Sequence, residues 1–120
     1  MVRLRFTKSD VMMALYSTID NGRSSNEYTT YETTKIRVRV WHDSSWLEVL
    51  DLGLRKSYIV YGNKLFDCYY TGPYNFIYRN MLVGVFNIKG EKITGYICGN
   101  GWVRDGHGKF LTKLKEVKEW

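Results

Sequence analysis

The glycine-rich segment at residues 99–109, GNGWVRDGHGK, groups several residues that suit anion binding. Its four glycines allow backbone amides to turn toward a bound group, and arginine and lysine add positive charge. The segment therefore predicts an anion-binding loop, with candidate residues Asn100, Trp102, Arg104, His107 and Lys109. It lacks the Gly-Lys-Ser/Thr ending of a P-loop and the dinucleotide fingerprint. A flexible connection whose glycines only make turns is the simpler interpretation.

A second candidate is the stretch KIRVRVW at residues 35–41, which alternates in the way a β-strand requires. The two-residue period puts the basic residues and the tryptophan on one face. Cations on a strand face can follow phosphates while aromatic rings stack on bases. We therefore predict a nucleic-acid-binding surface made of Lys35, Arg37, Arg39 and Trp41, extended by Tyr31. The alternative is an exposed strand whose Lys and Arg stems cover the sheet and discourage edge pairing.

Acid–base chemistry has two candidate side chains, His42 and His107, because imidazole titrates near neutrality. As catalytic residues, the two histidines would suit a small metal-independent nuclease or nucleotide-binding enzyme, but the sequence does not place them side by side. Cys68 and Cys98 lie in apolar runs and are predicted to be buried, reduced thiols. The cysteines and histidines lack the local spacing of a zinc site. We therefore expect no metal, no cofactor and no assigned catalytic residue.

The elements that position these residues begin with a helix. Thr7 and Asp10 form a capping-box pattern, and the spacing predicts a helix over residues 8–20 that ends at an Asn-Gly pair. The apolar stripe of this helix is expected to pack on a sheet through Val11, Met12, Leu15, Tyr16 and Ile19.

The rest of the chain favours strands. Residues 81–99 form a predicted hairpin at the middle of the sheet, and residues 57–61 and 65–70 flank a Gly-Asn turn of a second hairpin. Residues 46–53 suit a strand slightly better than a two-turn helix. From Lys109 onward, apolar residues at helical spacing predict a short C-terminal amphipathic helix. The fold class is α+β: an antiparallel sheet of about five or six strands with an N-terminal and a short C-terminal helix.

The composition indicates one globular domain over residues 1–120. No signal peptide or membrane-spanning run is evident, so a cytoplasmic location without membrane contact is the default. The formal net charge is +6, and the chain holds ten tyrosines, five phenylalanines and four tryptophans. Positive charge favours anionic partners, and surplus aromatic residues suit base stacking and protein interfaces.

The function that best fits these features is a non-enzymatic, small basic binding protein that engages nucleic acid or a nucleoprotein complex. A protein-interaction inhibitor or adaptor, of the kind found among small phage-type regulators and anti-defence proteins, is an alternative with a protein target; this analogy is one of size only. The oligomeric state is not predicted.

Overall fold

The structure, a computed structural model, describes residues 4–16, 22–24, 28–42, 44–67, 76–78 and 81–120, with only the backbone described at 22–24 and 76–78. The described chain begins with the helix α1, Lys8–Tyr16. The strands that follow are, in chain order, β1 Gly22–Ser24, β2 Tyr28–Glu32, β3 Ile36–Trp41, β4 Trp46–Asp51, β5 Lys56–Tyr61, β6 Lys64–Asp67, β7 Phe76–Tyr78, β8 Met81–Ile88, β9 Glu91–Ile97, β10 Trp102–Arg104, β11 Phe110–Lys113 and β12 Lys115–Val117.

The strands form two antiparallel sheets. The larger sheet has the order β1-β2-β3-β4-β5-β6-β12, and the smaller has the order β11-β10-β9-β8-β7. Within each sheet, strands that follow one another in the chain are neighbours, with one exception. After β11 the chain leaves the smaller sheet, and β12 pairs with β6 at the edge of the larger sheet. The last strand of the chain therefore connects the edges of the two sheets.

Two apolar clusters cover opposite faces of the larger sheet. One cluster fills the space between the sheets and includes Trp41, Phe66, Phe86, Val103 and Leu114. The other lies against α1 and the N-terminal segment, and its members from the larger sheet are the residues that alternate with the first set, such as Ile36, Val38, Val49, Tyr58 and Leu65. The larger sheet is thus covered on both faces, which explains why its central strands are apolar on both sides.

The predicted capping box begins the helix. The Thr7 amide donates to Asp10 Oδ2 at 2.7 Å, and the Asp10 amide donates to the Thr7 hydroxyl at 3.1 Å. The backbone hydrogen bond from Thr7 and then the hydrogen bond from Lys35 lower the pKa of Asp10, while burial opposes them. The helix buries Val11 and Ala14 against the larger sheet.

The exposed side of α1 corrects part of the predicted stripe. Met12 and Tyr16, which we expected in the core, are 44% and 75% exposed. The residue that takes the central position is Ala14, which is fully buried, because a small side chain lets the helix approach the sheet closely. Residues 17–20 of the predicted helix lie outside the described residues, and so does Ile19 of the stripe.

The predicted hairpins are present. β8 and β9 pair over seven registered positions from Leu82 to Ile88, with a turn at Lys89 and Gly90, both of which have positive φ. This hairpin is the middle of the smaller sheet. β5 and β6 form the second hairpin around Gly62, whose φ is +60°, and residues 46–51 are a strand, as the sequence favoured. Residues 68–70 of the predicted second arm lie outside the described residues.

The predicted C-terminal helix is wrong, because residues 110–113 and 115–117 are strands. Both find backbone partners on existing sheet edges, β11 on β10 and β12 on β6. Between them Leu114 is 2% exposed in the core between the sheets, and its amide donates to the Gly101 carbonyl at 2.8 Å. A short isolated helix is marginal in water, so these tertiary hydrogen bonds outweigh the helical spacing of the apolar residues.

The α+β class, the antiparallel pairing and the N-terminal helix are thus confirmed. The division of the strands between two packed sheets was not anticipated. No helix among the described residues is long and apolar enough to cross a membrane.

Candidate nucleic-acid interface

The predicted basic face of β3 carries arginines that are already paired with carboxylates. Arg37 Nε donates to Glu32 Oε1 at 2.7 Å, across the β2–β3 pair. Arg39 Nη1 lies 3.8 Å from Glu48 Oε1 on β4, and the Arg39 guanidinium also lies 4.4 Å from the centroid of the Tyr28 ring. Neighbouring strands thus supply carboxylates that neutralise much of the positive charge on this face.

The other three residues of this candidate surface are separated from the two arginines. Lys35 Nζ donates to Asp10 Oδ2 at 3.1 Å at the start of α1. Trp41 shares the predicted face but is 1% exposed, because the smaller sheet covers it. Tyr31 pairs with Val38 and packs with the cluster on the opposite face. The structure therefore brings Arg37 and Arg39 together on one strand face but offers no open indole beside them.

The predicted anion-binding loop comprises the turn before β10, β10 itself and the turn of the β10–β11 hairpin. The amides of His107 and Lys109 both donate to Asp105 Oδ1 at 2.9 Å, and the Asp105 amide donates to the Lys109 carbonyl at 2.9 Å. The Lys109 backbone hydrogen bond, followed by that of His107, holds the pKa of Asp105 below its ordinary value of 3.8, with desolvation opposing. Those two amides, which we expected to turn toward a bound anion, thus already bind a carboxylate of the same loop.

The side chains of this segment form a more open arrangement. The rings of Trp102 and Phe110 meet edge to face, with centroids 5.0 Å apart. The Arg104 guanidinium lies 5.5 Å from the centroid of the Trp102 ring, and its Nη1 donates to the Gly108 carbonyl at 3.0 Å. Phe110 is 46% exposed, and Trp102 and Arg104 are half-buried.

The strand register explains why these side chains meet. Val103 points into the core between the sheets, so Trp102 and Arg104 on either side of it point outward. Arg104 pairs with Tyr96 on one side and with Phe110 on the other. We call this outward surface of the smaller sheet, made of Tyr96, Trp102, Arg104 and Phe110, the aromatic face.

Charge distinguishes the aromatic face from the β3 face. Arg104 forms no ion pair with a carboxylate anywhere in the described ranges, and its contacts are a ring and a carbonyl. Lys113, exposed at the end of β11, is registered directly opposite Trp102 and adds a second cation at this edge. Cations beside open rings are what a base-stacking surface requires.

The remaining residues of the predicted loop have separate roles. Asn100 Oδ1 accepts the Trp102 amide at 3.1 Å and so shapes the turn before β10. Lys109 and His107 are exposed at the hairpin end. Of the five predicted loop residues, the structure thus places Trp102 and Arg104 on one surface.

The two histidines lie on different sheets. His42 follows β3 of the larger sheet, where its Nε2 is 2.8 Å from the Thr29 hydroxyl. His107 lies in the β10–β11 hairpin of the smaller sheet. Within the described part of the chain, no hydrogen bond joins the two imidazoles, and no group of three or more His, Cys, Asp or Glu side chains is arranged to hold a metal ion. Cys98 is a half-buried free thiol, and Cys68 lies outside the described residues.

Sequence reasoning missed two members of the aromatic face, Tyr96 and Phe110. From the sequence, Tyr96 is one of the apolar residues of the predicted central hairpin, and Phe110 belongs to the apolar residues at helical spacing that predict the C-terminal helix. The available signal was the alternation of Trp102, Val103 and Arg104, which indicates one buried and two outward residues on a strand. Comparisons with protein-family models, with curated proteins and with solved structures find no match for this chain.

Proposed function

We propose that the protein is a non-enzymatic binding protein that engages single-stranded nucleic acid, free or within a nucleoprotein complex, through the aromatic face. The observation that carries this proposal is the pair of outward-facing Trp102 and Phe110 rings beside the Arg104 guanidinium. Within the described residues, this guanidinium has no carboxylate partner. Unpaired bases stack on exposed aromatic rings, and a neighbouring cation binds the phosphates that link them.

Two further features support nucleic acid as the ligand. The net charge of +6 attracts polyanions at long range. The hairpin that carries the rings is held by its own hydrogen bonds to Asp105 and by Val103 in the core, so ligand binding need not order it. Rigid rings lose little conformational entropy on binding, which favours affinity.

The β3 face is a weaker candidate for the same function. A phosphate would have to displace Glu32 from Arg37 or Glu48 from Arg39, and Trp41 is too deeply buried to stack on a base. These ion pairs would offset much of the attraction between phosphates and the two arginines that the sequence pattern predicts. We therefore assign the nucleic-acid contact to the smaller sheet.

The proposal is tested with fluorescence anisotropy of a labelled oligo(dT) at low salt. Trp102→Ala is expected to weaken binding by about 5-fold or more, since stacking on one aromatic ring contributes roughly 1–3 kcal/mol per base. Arg104→Gln is expected to weaken binding and to reduce the salt slope by about 0.7, the value for one phosphate contact on a single strand.

Arg37→Gln is the matched control, because it also removes one arginine charge from a strand but at a position already paired with Glu32. It is expected to leave affinity and salt slope close to those of the native protein. Equal losses for Arg37→Gln and Arg104→Gln would indicate that only net charge matters. Failure of the native protein to bind any DNA or RNA would refute the proposal.

A further inference from the structure

A cluster of lysines lies where the edges of the two sheets meet. β11 is the edge strand of the smaller sheet and β12 that of the larger, and residue 114 alone separates them. The crossing is fixed, because Leu114 is buried in the core and its amide binds the Gly101 carbonyl. Side chains on either side of this crossing therefore keep a defined spacing.

The lysines of the cluster surround one carboxylate. Lys118 forms an ion pair with Glu116 and has a side chain that is 81% exposed. The register pairs Glu116 with Phe66, so Lys64, two residues away on the same face of β6, lies beside it. The hydrogen bond from Lys118, and then the charges of Lys64 and Lys113, lower the pKa of Glu116, while desolvation opposes them. We call Lys64, Lys113 and Lys118 the lysine rim.

Protection of sheet edges does not account for the whole cluster. Lysines on edge strands discourage pairing with other chains, and this explains Lys113 and Lys118, which lie on or next to the edge strands. Lys64 is different, because it begins β6, which lies between β5 and β12 and is not an edge strand. Glu116 forms its ion pair with Lys118, and neither Lys64 nor Lys113 has an ion-pair partner among the described residues. These two lysines therefore remain available to an anionic ligand.

The lysine rim is continuous with the aromatic face. Lys113 is registered opposite Trp102, and it is three residues from Phe110 along β11, a distance of about 10 Å at roughly 3.4 Å per residue. A ligand that stacks on the rings would therefore reach the rim within a few nucleotides. A combined surface of this extent matches the smaller single-strand sites, which cover about four nucleotides.

We propose that the lysine rim is a phosphate-binding subsite, so that a single strand of nucleic acid runs from Trp102 and Phe110 along β11 to Lys64 and Lys118. This inference rests on the proposed function, since the aromatic face supplies the stacking end of the same site. The rim makes no base contacts, so it adds affinity and a length requirement without sequence preference.

The test compares two triple variants that remove the same charge. Lys64→Gln, Lys113→Gln and Lys118→Gln together change the rim. The control combines Lys8→Gln, Arg55→Gln and Lys89→Gln, which alter exposed cations on α1, in the β4–β5 turn and in the β8–β9 turn. Anisotropy is measured with oligo(dT) of 2, 4, 8 and 12 nucleotides (chosen around that site size of about four) over a range of salt concentrations.

The rim variant is expected to lower the salt slope for the 8- and 12-mers by about 2, or about 0.7 per lysine. For the dinucleotide the slope should fall by no more than about 0.7, because Lys113 is the rim lysine registered opposite Trp102. The control is expected to change the slope much less. Equal slopes for the rim and control variants would overturn the inference, and so would native binding that does not increase with oligonucleotide length.

The outcomes separate this inference from the proposed function. Loss of binding in Trp102→Ala together with no effect of the rim variant would overturn the rim and leave the aromatic face intact. No binding of any oligonucleotide by the native protein would remove both. Polyglutamate bound as tightly as oligo(dT), with the same loss in the rim variant, would overturn the rim as a nucleic-acid subsite and assign it to acidic proteins.

Discussion

Replacement of Gly101 by alanine is expected to destabilise the protein, because this glycine fills a position that no side chain fits. Its φ is +87°, in the left-handed region. A Cβ built there would lie 2.6 Å from Phe66 Cε1 and 2.9 Å from Phe66 Cδ1, and the Phe66 ring is 1% exposed in the core between the sheets. The same residue accepts the Leu114 amide through its carbonyl, so a shift of its backbone would also disturb the crossing between the sheets.

The size of the effect follows from these two causes. A left-handed conformation costs a residue with a side chain about 1–2 kcal/mol. An added methyl group in a packed core costs about 1–3 kcal/mol more. The free energy of unfolding should therefore fall by about 2–5 kcal/mol, which for a domain of this size lowers the melting temperature by about 8–20 °C.

Gly106→Ala is the matched control within the same glycine-rich segment. Gly106 is exposed and its φ is not positive, and a Cβ there would meet no atom within 4 Å. Its substitution should change stability by no more than about 0.5 kcal/mol. Urea and thermal unfolding of both variants measure the difference. Equal stability of the two variants would refute the claim that Gly101 is packed tightly against Phe66.

Three further changes test other parts of the structure. The pKa of Asp105 is lowered chiefly by the Lys109 amide, so its carboxylate stabilises the folded state above pH 3.8, and this contribution disappears as the pH falls below that value. Asp105→Ala should therefore lower the melting temperature at pH 7, and the difference from the native protein should shrink as the pH falls below 3.8. A difference that stays constant with pH would argue against the hydrogen bonds. Thr7→Ala removes the hydroxyl that accepts the Asp10 amide and should cost about 1 kcal/mol in urea unfolding, and an unchanged midpoint would contradict the capping box. Leu114→Ala should lower the free energy of unfolding by about 2–5 kcal/mol, because the side chain is buried in the core. Lys113→Ala beside it should leave the free energy of unfolding nearly unchanged. The opposite order would indicate that the Leu114 side chain does not hold the crossing between the sheets.

Local patterns predicted most of the individual elements. The Thr7 and Asp10 pair marked the start of α1, and strict alternation in residues 36–41 marked β3. These signals are local, since they depend on neighbouring residues and on turn geometry. The strand β12 was missed because its partner, β6, is distant in sequence. The strand β11 was missed because its partner, β10, lies in the glycine-rich segment that was interpreted as a loop.

The candidate site was harder to predict than the elements. Whether Arg37 is available depends on Glu32 lying opposite it, and whether Trp41 is exposed depends on the smaller sheet covering it. Both facts follow from strand register and sheet packing, which composition does not encode. Trp102 and Arg104 were identified from the sequence, but as part of a flexible anion-binding loop, whereas the structure places them on a strand whose hairpin is held by Asp105.

The most direct test of the aromatic face is an amide and indole N–H nuclear magnetic resonance titration with oligo(dT). The Trp102 indole and the backbone amides of residues 102–104 and 110–113 should show the largest shifts at saturation, because these groups carry the proposed contact. The Trp41 indole should stay unchanged, since it is buried between the sheets. Shifts centred on Arg37 and Arg39, with no change at Trp102, would contradict the assignment and return the binding surface to β3.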